Sequence, residues 1–293
     1  MIGVGFVAGR LKVIKKESTE GLTKIVFNVS VPCLIIASMV TTYKREMLLS
    51  TAALPLFAFI LIVLVNFPLA YLSSKLFKVK KEVNKQYIYM NMFPNYYYIS
   101  IPLSGMLFGA AGVLYVFLFG FMADILLWTV GVGMYTNTKG KFPVKSILNP
   151  GILALFVGFI LSMARVTLPA VIITPLQVVG SITTPMAMLI TGAILANIEL
   201  KSVGTLFFSK DMFSTIFNRL LIAPALIIVI TMLFDLDPLV RAIIVLQAAM
   251  PCGFTAILFA TQYKKDPNYS AAICLVTTGL SMVTIPVFLY MIR

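Results

Sequence analysis

The sequence predicts an all-α membrane protein with ten transmembrane helices, arranged in two halves of five helices with opposite orientations. Composition is one reason: hydrophobic residues make up 60% of the 293 residues and charged residues 11%, whereas soluble domains carry about 25% charged residues. The mean hydropathy is +1.01, and the apolar segments approach the length, about 20 residues, that crosses a bilayer core. The placement of basic residues and a repeated proline pattern are the other two reasons.

Ten apolar segments follow one another along the chain. The first has few apolar residues before Arg10, fewer than a spanning helix needs. Either the chain begins within its first helix, which we favour, or this helix is a half-span packed against the others. The predicted spans are 1–9, 22–40, 48–76, 86–109, 113–135, 151–163, 168–198, 212–234, 239–261 and 271–291.

The lysine and arginine residues determine the predicted orientation. Seventeen of the 23 fall in loops on one side of the ten spans, five fall on the other side, and Arg219 alone lies within a span. Because cytoplasmic loops carry an excess of lysine and arginine, the first side is cytoplasmic. This predicts a multi-pass protein of the cell membrane with both termini outside the cytoplasm.

Prolines at corresponding places indicate that the chain consists of two similar halves. Because five spans are an odd number, the second half enters the membrane from the opposite side, which is the inverted repeat of several secondary transporters. The predicted domains are a first repeat at 1–135, a short cytoplasmic linker at 136–150 and a second repeat at 151–293. The matched prolines, separated by 153, 156 and 149 residues, are Pro32 and Pro185, Pro68 and Pro224, and Pro102 and Pro251.

The fourth and ninth spans are interrupted by prolines, at 92–103 and 247–255. In lipid, a helix is broken only where its freed backbone groups meet protein, water or a ligand. Pro102 and Pro251 lack an N–H and are predicted to keep the breaks open. The start of each second half-helix offers free N–H groups and the positive end of a dipole, so the matched breaks predict a midplane anion site.

Short motifs occur in a fixed order along nearly the whole chain, and together they resemble the auxin efflux carrier family, which includes the plant PIN carriers. The most distinctive motif has Pro94-Asn95, five further residues and then Ile101-Pro102-Leu103. The others are 28–32, Thr184-Pro185 followed by Gly192, Arg219 with Pro224, Ala248-Ala249-Met250-Pro251 and Thr284-Ile285-Pro286.

This resemblance implies crossed broken helices within a 5+5 inverted repeat, as in bile-acid symporters and sodium–proton exchangers. It implies a scaffold of spans 1, 2, 6 and 7, which often dimerises, and a mobile transport domain of spans 3–5 and 8–10. Family members move organic anions: auxins in plants, and malonate, malate or similar carboxylates in bacteria. The short central loop is similar to that of a prokaryotic member, so we expect an elevator-type efflux carrier of the inner membrane.

The candidate substrate-binding residues lie in and around the two breaks. Asn95 comes first because its amide can donate to a carboxylate, and because the resemblance implies an asparagine that contacts substrate at this position. The run of Tyr96, Tyr97 and Tyr98 departs from the family pattern; we expect one or two of these rings to line the cavity and the rest to pack. The other candidates are Asn91, Pro102, Gln247, Pro251, Cys252 and Thr255.

Asp124 and Arg219 are the clearest ionisable residues within the predicted spans. Such residues are costly in lipid and indicate a function. Asp124 stands among apolar residues and is a candidate proton carrier, whereas an Asp124–Arg219 pair would be structural, and the sequence leaves both interpretations open. No cofactor is predicted, and coupling to protons or sodium ions is left open.

Other classes of function fit the sequence less well. The net charge of +13 comes from short loops without a basic helix, which argues against nucleic acid as a partner. The three cysteines lack metal-ligand or disulfide spacing, and no nucleophile–base pair indicates an enzyme. The expected partners are a small organic anion and the lipid bilayer. An exporter of larger amphipathic or aromatic compounds and a non-transporting ligand sensor remain alternatives.

Overall fold

The structure is a computed structural model that describes residues 1–41, 53–135, 150–196 and 209–292. The regular elements of these residues are helices, joined at three places by short π-helical turns. In chain order they are α1 (Ile2–Arg10), α2 (Lys16–Ile25), α3 (Val31–Thr41), α4 (Ala53–Leu76), α5 (Lys81–Met92), α6 (Ser100–Leu126), α7 (Val132–Tyr135), α8 (Pro150–Met163), α9 (Ala170–Ser181), α10 (Thr183–Ala196), α11 (Lys210–Phe217), α12 (Ala223–Met232), α13 (Pro238–Ala249), α14 (Thr255–Gln262) and α15 (Pro267–Met291).

Six helical stretches within the described residues are long and apolar enough to cross a membrane, and the predicted class of an α-helical membrane protein is confirmed. The other predicted spans also contain helices, which are shorter. The ten crossings and their inverted repeat stay a prediction, and the predicted linker, apart from Pro150, lies outside the described residues. The six stretches are Glu17–Thr41, Leu54–Leu76, Ala111–Tyr135, Ala170–Ala196, Lys210–Met232 and Pro267–Met291.

The chain divides into two compact units. Within the described residues, unit 1 holds α1–α3, α8–α10 and most of α6, and unit 2 holds most of α4 together with α5, α7 and α11–α15. The chain passes from unit 2 to unit 1 after Tyr96, inside the first predicted break. Unit 1 comprises Met1–Leu56, Tyr97–Phe121 and Pro143–Asn197, and unit 2 comprises Phe57–Tyr96, Met122–Phe142 and Ile198–Arg293.

In unit 1, α1 and α10 pack with their backbones in close contact. Gly5 and Gly9 are one helical turn apart on α1, and Gly192 lies opposite them on α10. A Cβ atom on Gly5 would meet the carbonyl oxygen of Leu189, and one on Gly192 would meet the carbonyl oxygen of Ile2. Small residues at this spacing let transmembrane helices approach closely, so this contact holds the short helix α1 in unit 1.

A hydrophobic cluster forms the core of unit 1, where α3 packs against α8 and α9. Val31 of α3 and Ile190 of α10 belong to it, together with Ile101 and Phe117 of α6. Gly109 lies between the two α6 residues with φ 62° and ψ −152°. Glycine adopts this backbone conformation readily because it has no Cβ, so Gly109 kinks α6 and lets both of its parts contribute to one core.

Two of the π-helical turns precede a proline at the same spacing. Val26–Ser30 lies just before Pro32, and Asn218–Ile222 lies just before Pro224. In both, the residue before the proline donates its N–H to the carbonyl oxygen five residues earlier. Proline has no N–H for the usual bond to the fourth residue back, so the helix widens instead of ending. The second of these turns carries Arg219.

Buried polar side chains hold α5 in place within unit 2. The hydroxyl of Tyr87 donates to Ser73 Oγ of α4 at 2.8 Å and is also hydrogen-bonded to Ser214 of α11. Gln86 Nε2 donates to Ser270 Oγ of α15 at 3.1 Å. Polar side chains in membrane helices hydrogen-bond across helices in this way. These bonds fix the middle of α5, one to two turns before the first break begins.

Candidate functional site

The two helix breaks meet within unit 2. Each of α5 and α13 ends in a short extended segment, and the two segments run antiparallel to each other. This pairing satisfies backbone groups that a broken helix would otherwise leave free in lipid. The bonds run from Asn95 N to Pro251 O at 2.8 Å and from Gly253 N to Phe93 O at 3.3 Å, around a bridge between Pro94 and Cys252.

Prolines determine where the two helices stop. Phe93 precedes Pro94 and has φ −101° and ψ 109°. Met250 precedes Pro251 and has φ −62° and ψ 142°. The ring of a proline disfavours the helical conformation in the residue before it. The backbone therefore becomes extended at Phe93 and at Met250, the residue before the proline in each break. The signal that ends each helix is therefore in the sequence.

Pro102 is predicted to hold the first break open, but it lies in the first turn of α6. The proline of the extended segment is Pro94. The N–H groups of Ile101 and Leu103 donate to the carbonyl oxygens four residues earlier, but Pro102 has no N–H to donate. The carbonyl oxygen of Tyr98, four residues before Pro102, accepts a hydrogen bond from Thr191 Oγ1 at 3.1 Å. The same hydroxyl lies 2.8 Å from Ala187 O, so Thr191 shares its one proton and partly replaces the donor that Pro102 lacks.

Helix α15 supports the second break from one side. The backbone N–H of Cys252 donates to Thr277 Oγ1 at 3.4 Å, and Cys274 Sγ donates to the carbonyl oxygen of Gly253 at 3.5 Å. Cys252 therefore contributes to the break through its backbone hydrogen bonding. Thr277 is absent from the predicted site residues. The signal for it is a hydroxyl in the middle of an apolar span, because such a group needs a partner in lipid.

The three predicted amide residues are all buried near the breaks. Asn95 is 2% exposed, Asn91 2% and Gln247 1%. Asn91 Nδ2 donates to Tyr87 O at 2.9 Å and to Thr215 Oγ1 at 3.1 Å, which is a structural use. Within the described part of the chain, neither side-chain polar atom of Gln247 has a hydrogen-bond partner. An unsatisfied buried amide costs free energy, so Gln247 is suited to meet a ligand or water.

The three consecutive tyrosines separate. Tyr96 belongs to unit 2, is 4% exposed and donates its hydroxyl to Asp124 Oδ1 at 2.8 Å. Tyr97 and Tyr98 belong to unit 1, where both rings contact Phe27 edge-on, with centroids 5.6 and 5.5 Å away. Edge-to-face contacts at such distances stabilise packed aromatic rings. Two of the three tyrosines thus pack in the core of unit 1.

Thr255 and Arg219 bound the second break. Thr255 is the first residue of α14, and its hydroxyl is hydrogen-bonded to Tyr89 OH at 2.9 Å. The start of α14 directs the positive end of a helix dipole toward the break. Arg219 is fully buried and, among the described residues, donates to backbone carbonyl oxygens and not to Asp124. The two ionisable residues therefore have separate partners.

Two interrupted helices whose breaks are hydrogen-bonded to each other, in a chain of membrane-spanning helices, define the class of the protein. Broken helices of this kind supply the midplane sites of secondary transporters, because they expose backbone groups and dipole ends that lipid cannot satisfy. The fold and the site therefore identify a secondary transporter.

Comparison with known proteins gives the family. A family model described as a membrane transport protein matches residues 1–142 and 133–289. An uncharacterized transporter of Methanocaldococcus jannaschii is 26% identical over 299 residues, which cover 97% of this chain and 93% of the relative. The chain belongs to the membrane transport protein family, that of the auxin efflux carriers, and the resemblance of its motifs is confirmed. Its role is transport across a lipid bilayer.

Proposed function

We propose that this transporter carries small organic anions, carboxylates in particular, out of a prokaryotic cell by elevator-type alternating access, with the substrate bound at the paired breaks. The observation that carries the proposal is the buried amide of Gln247, which has no partner within the described residues and lies three residues before Met250, where the extended segment of the second break begins. An amide donates to a carboxylate. Asn95, which is hydrogen-bonded to that segment through its backbone, is the second proposed donor.

The dipole at the start of α14 supports an anionic substrate. The free N–H groups and positive end of a helix favour a negative charge, and a site built this way needs no cationic side chain in contact with the substrate. Thr255 at this helix start is the third proposed contact. Tyr97 and Tyr98 pack against Phe27, which argues against an aromatic wall and favours small carboxylates over larger aromatic compounds.

The elevator mechanism is supported by the two compact units, because such a mechanism requires two separately packed bodies. Unit 1 contains the predicted scaffold spans, and unit 2 contains most of span 3 and spans 8–10. The segment Tyr97–Phe121 groups with unit 1, although the resemblance places it in the mobile domain.

Two residues with positive φ support an inverted repeat. Lys12 follows the first span with φ 57°, and Arg165 follows the sixth span with φ 53°. They are 153 residues apart, which is the separation of the first proline pair.

A thermal-shift screen tests the proposed substrate class and site. We expect malonate, malate or a related carboxylate to raise the melting temperature of the purified protein. Asn95→Ala should weaken binding of that ligand about 10- to 150-fold, because hydrogen bonds to charged groups contribute about 1.5–3 kcal/mol. Asn268→Ala, at an exposed position at the start of α15, is the matched control. A carboxylate that stabilises Asn95→Ala as fully as the wild type would contradict the proposed site.

Asp124 is the proposed proton carrier. Its carboxylate accepts a hydrogen bond from Tyr96, the residue after Asn95, so protonation of Asp124 would change a contact at the first break. We expect Asp124→Asn to remove the dependence of carboxylate flux on an imposed proton gradient. Asp211→Asn is the control, because Asp211 accepts a similar bond at 3.1 Å from Tyr269, which belongs to α15 and not to either break. Flux with unchanged gradient dependence in Asp124→Asn would exclude the carrier role.

A further inference from the structure

Arg219 is a buried cation at the ends of both interrupted helices. It lies on the π-helical turn Asn218–Ile222 between α11 and α12 and is 0% exposed. Its neighbour Asn218 anchors the turn by donating to Ser73 Oγ at 2.7 Å. A charge inside a membrane protein is expensive unless it is compensated. The groups that compensate this one therefore indicate what it does.

Among the described residues, the partners of Arg219 are three backbone carbonyl oxygens. Nη1 donates to Asn91 O at 3.3 Å, and Nη2 donates to Met250 O at 2.6 Å and lies 3.4 Å from Ala248 O. Asn91 is in the last turn of α5, Ala248 is in the last turn of α13, and Met250 directly follows α13. A single guanidinium thus holds the C-terminal ends of the first halves of both broken helices.

These carbonyl oxygens form a site for a cation. The last carbonyl groups of a helix lack partners within it and carry the negative end of its dipole. In transporters with broken helices, such half-helix ends and unwound carbonyl groups are ligands of a coupling sodium ion. In this chain the positive charge comes from a side chain, and no carboxylate among the described residues is hydrogen-bonded to it.

We propose that Arg219 is a tethered cation that takes the place of a coupling sodium ion, so that the paired breaks hold together without bound sodium. Arg219 is a positioning residue: it fixes the two half-helix ends and contributes a positive charge behind the anion site. The inference rests on the proposed function for its role in transport. The structural part of the inference is that a guanidinium fills a carbonyl site. This part is tested on the protein without substrate.

The test is the melting temperature of the purified full chain, without carboxylate, in sodium, potassium or choline chloride. We expect the wild type to melt at the same temperature in all three salts. Arg219→Ala should melt lower in choline chloride, because the carbonyl cluster has lost its cation. Adding sodium chloride or a low concentration of guanidinium chloride should then raise its melting temperature by about 3 °C or more, since a ligand of the folded state stabilises it.

Two further variants separate this role from a general structural one. Arg241→Ala is the control, because Arg241 Nη2 donates to one exposed carbonyl, Phe234 O, at 3.3 Å; neither cation should stabilise that variant. Arg219→Lys keeps a tethered charge, so its melting temperature should not depend on sodium. This variant gives a result even if Arg219→Ala does not fold.

Three results would overturn the inference: sodium-specific stabilisation of the wild type, sodium-specific stabilisation of Arg219→Lys, or an Arg219→Ala variant that responds to neither cation. Each is distinct from a failure of the proposed function, which would appear as an absence of carboxylate binding or flux with the cation results unchanged.

Discussion

Replacing Gly192 with leucine is expected to destabilise the protein by about 3 kcal/mol or more and to prevent α1 from packing in unit 1. A Cβ at this position already meets backbone atoms of α1, the carbonyl oxygen of Ile2 and the nitrogen of Phe6. Backbone atoms cannot rotate away as a flexible side chain can, so a leucine must push the helices apart. Overpacking typically costs about 1–3 kcal/mol even where side chains can adjust.

The measurement is the thermal unfolding of purified Gly192→Leu beside Gly3→Leu. Gly3 lies on α1 itself, but a Cβ there meets no atom within 4 Å, so its leucine variant should unfold near the wild-type temperature. The comparison keeps the substitution the same and changes only the surroundings. A Gly192→Leu protein as stable as the wild type would show that α1 does not pack against α10 as described.

Replacing Gly253 with valine is expected to leave most of the protein folded but to separate the paired breaks and weaken transport. The Cβ of any residue at this position would lie 3.1 Å from Pro94 O and 3.4 Å from Thr255 Oγ1. Alanine requires a shift of a few tenths of an ångström, whereas the branched side chain of valine pushes against the backbone of the other break. The Gly253–Phe93 hydrogen bond would then be lost.

The expected size of this effect follows from the crowding. About 1–3 kcal/mol of strain at the site corresponds to a loss of substrate affinity of roughly 5- to 150-fold. Gly279→Val on α15 is the control, because a Cβ on Gly279 meets no atom within 4 Å. The readouts are carboxylate flux and melting temperature. Normal flux in Gly253→Val would mean that the close pairing of the breaks is not required for transport.

The sequence predicts the breaks because their cause is local. Phe93 and Met250 precede prolines, and a proline restricts the residue before it whatever the tertiary fold. The all-helical membrane class follows from composition and segment length, which are also local properties. The exact proline is harder to assign: Pro102 resembles a helix breaker in the sequence, but it lies in a first helical turn, where proline is tolerated.

The partners of buried polar residues could not be predicted, because they depend on which elements meet. Arg219 is recognisable as an unusual charge within a span, and Asp124 is the obvious acidic residue to pair with it. The structure provides carbonyl oxygens of two helix ends instead, and those ends come together only through the tertiary fold. The separation of Tyr96 from Tyr97 and Tyr98 likewise follows from the passage of the chain between two units.

Flux of the carboxylate found in the thermal screen, measured in proteoliposomes, shows whether the protein carries this anion through the paired breaks. We expect saturable uptake that exceeds uptake by protein-free liposomes, is competed by other carboxylates and falls about 10-fold or more in Asn95→Ala. Asn268→Ala should transport as the wild type does. Binding of the carboxylate without flux would instead indicate a ligand sensor, and undiminished flux in Asn95→Ala would contradict a substrate site at the paired breaks.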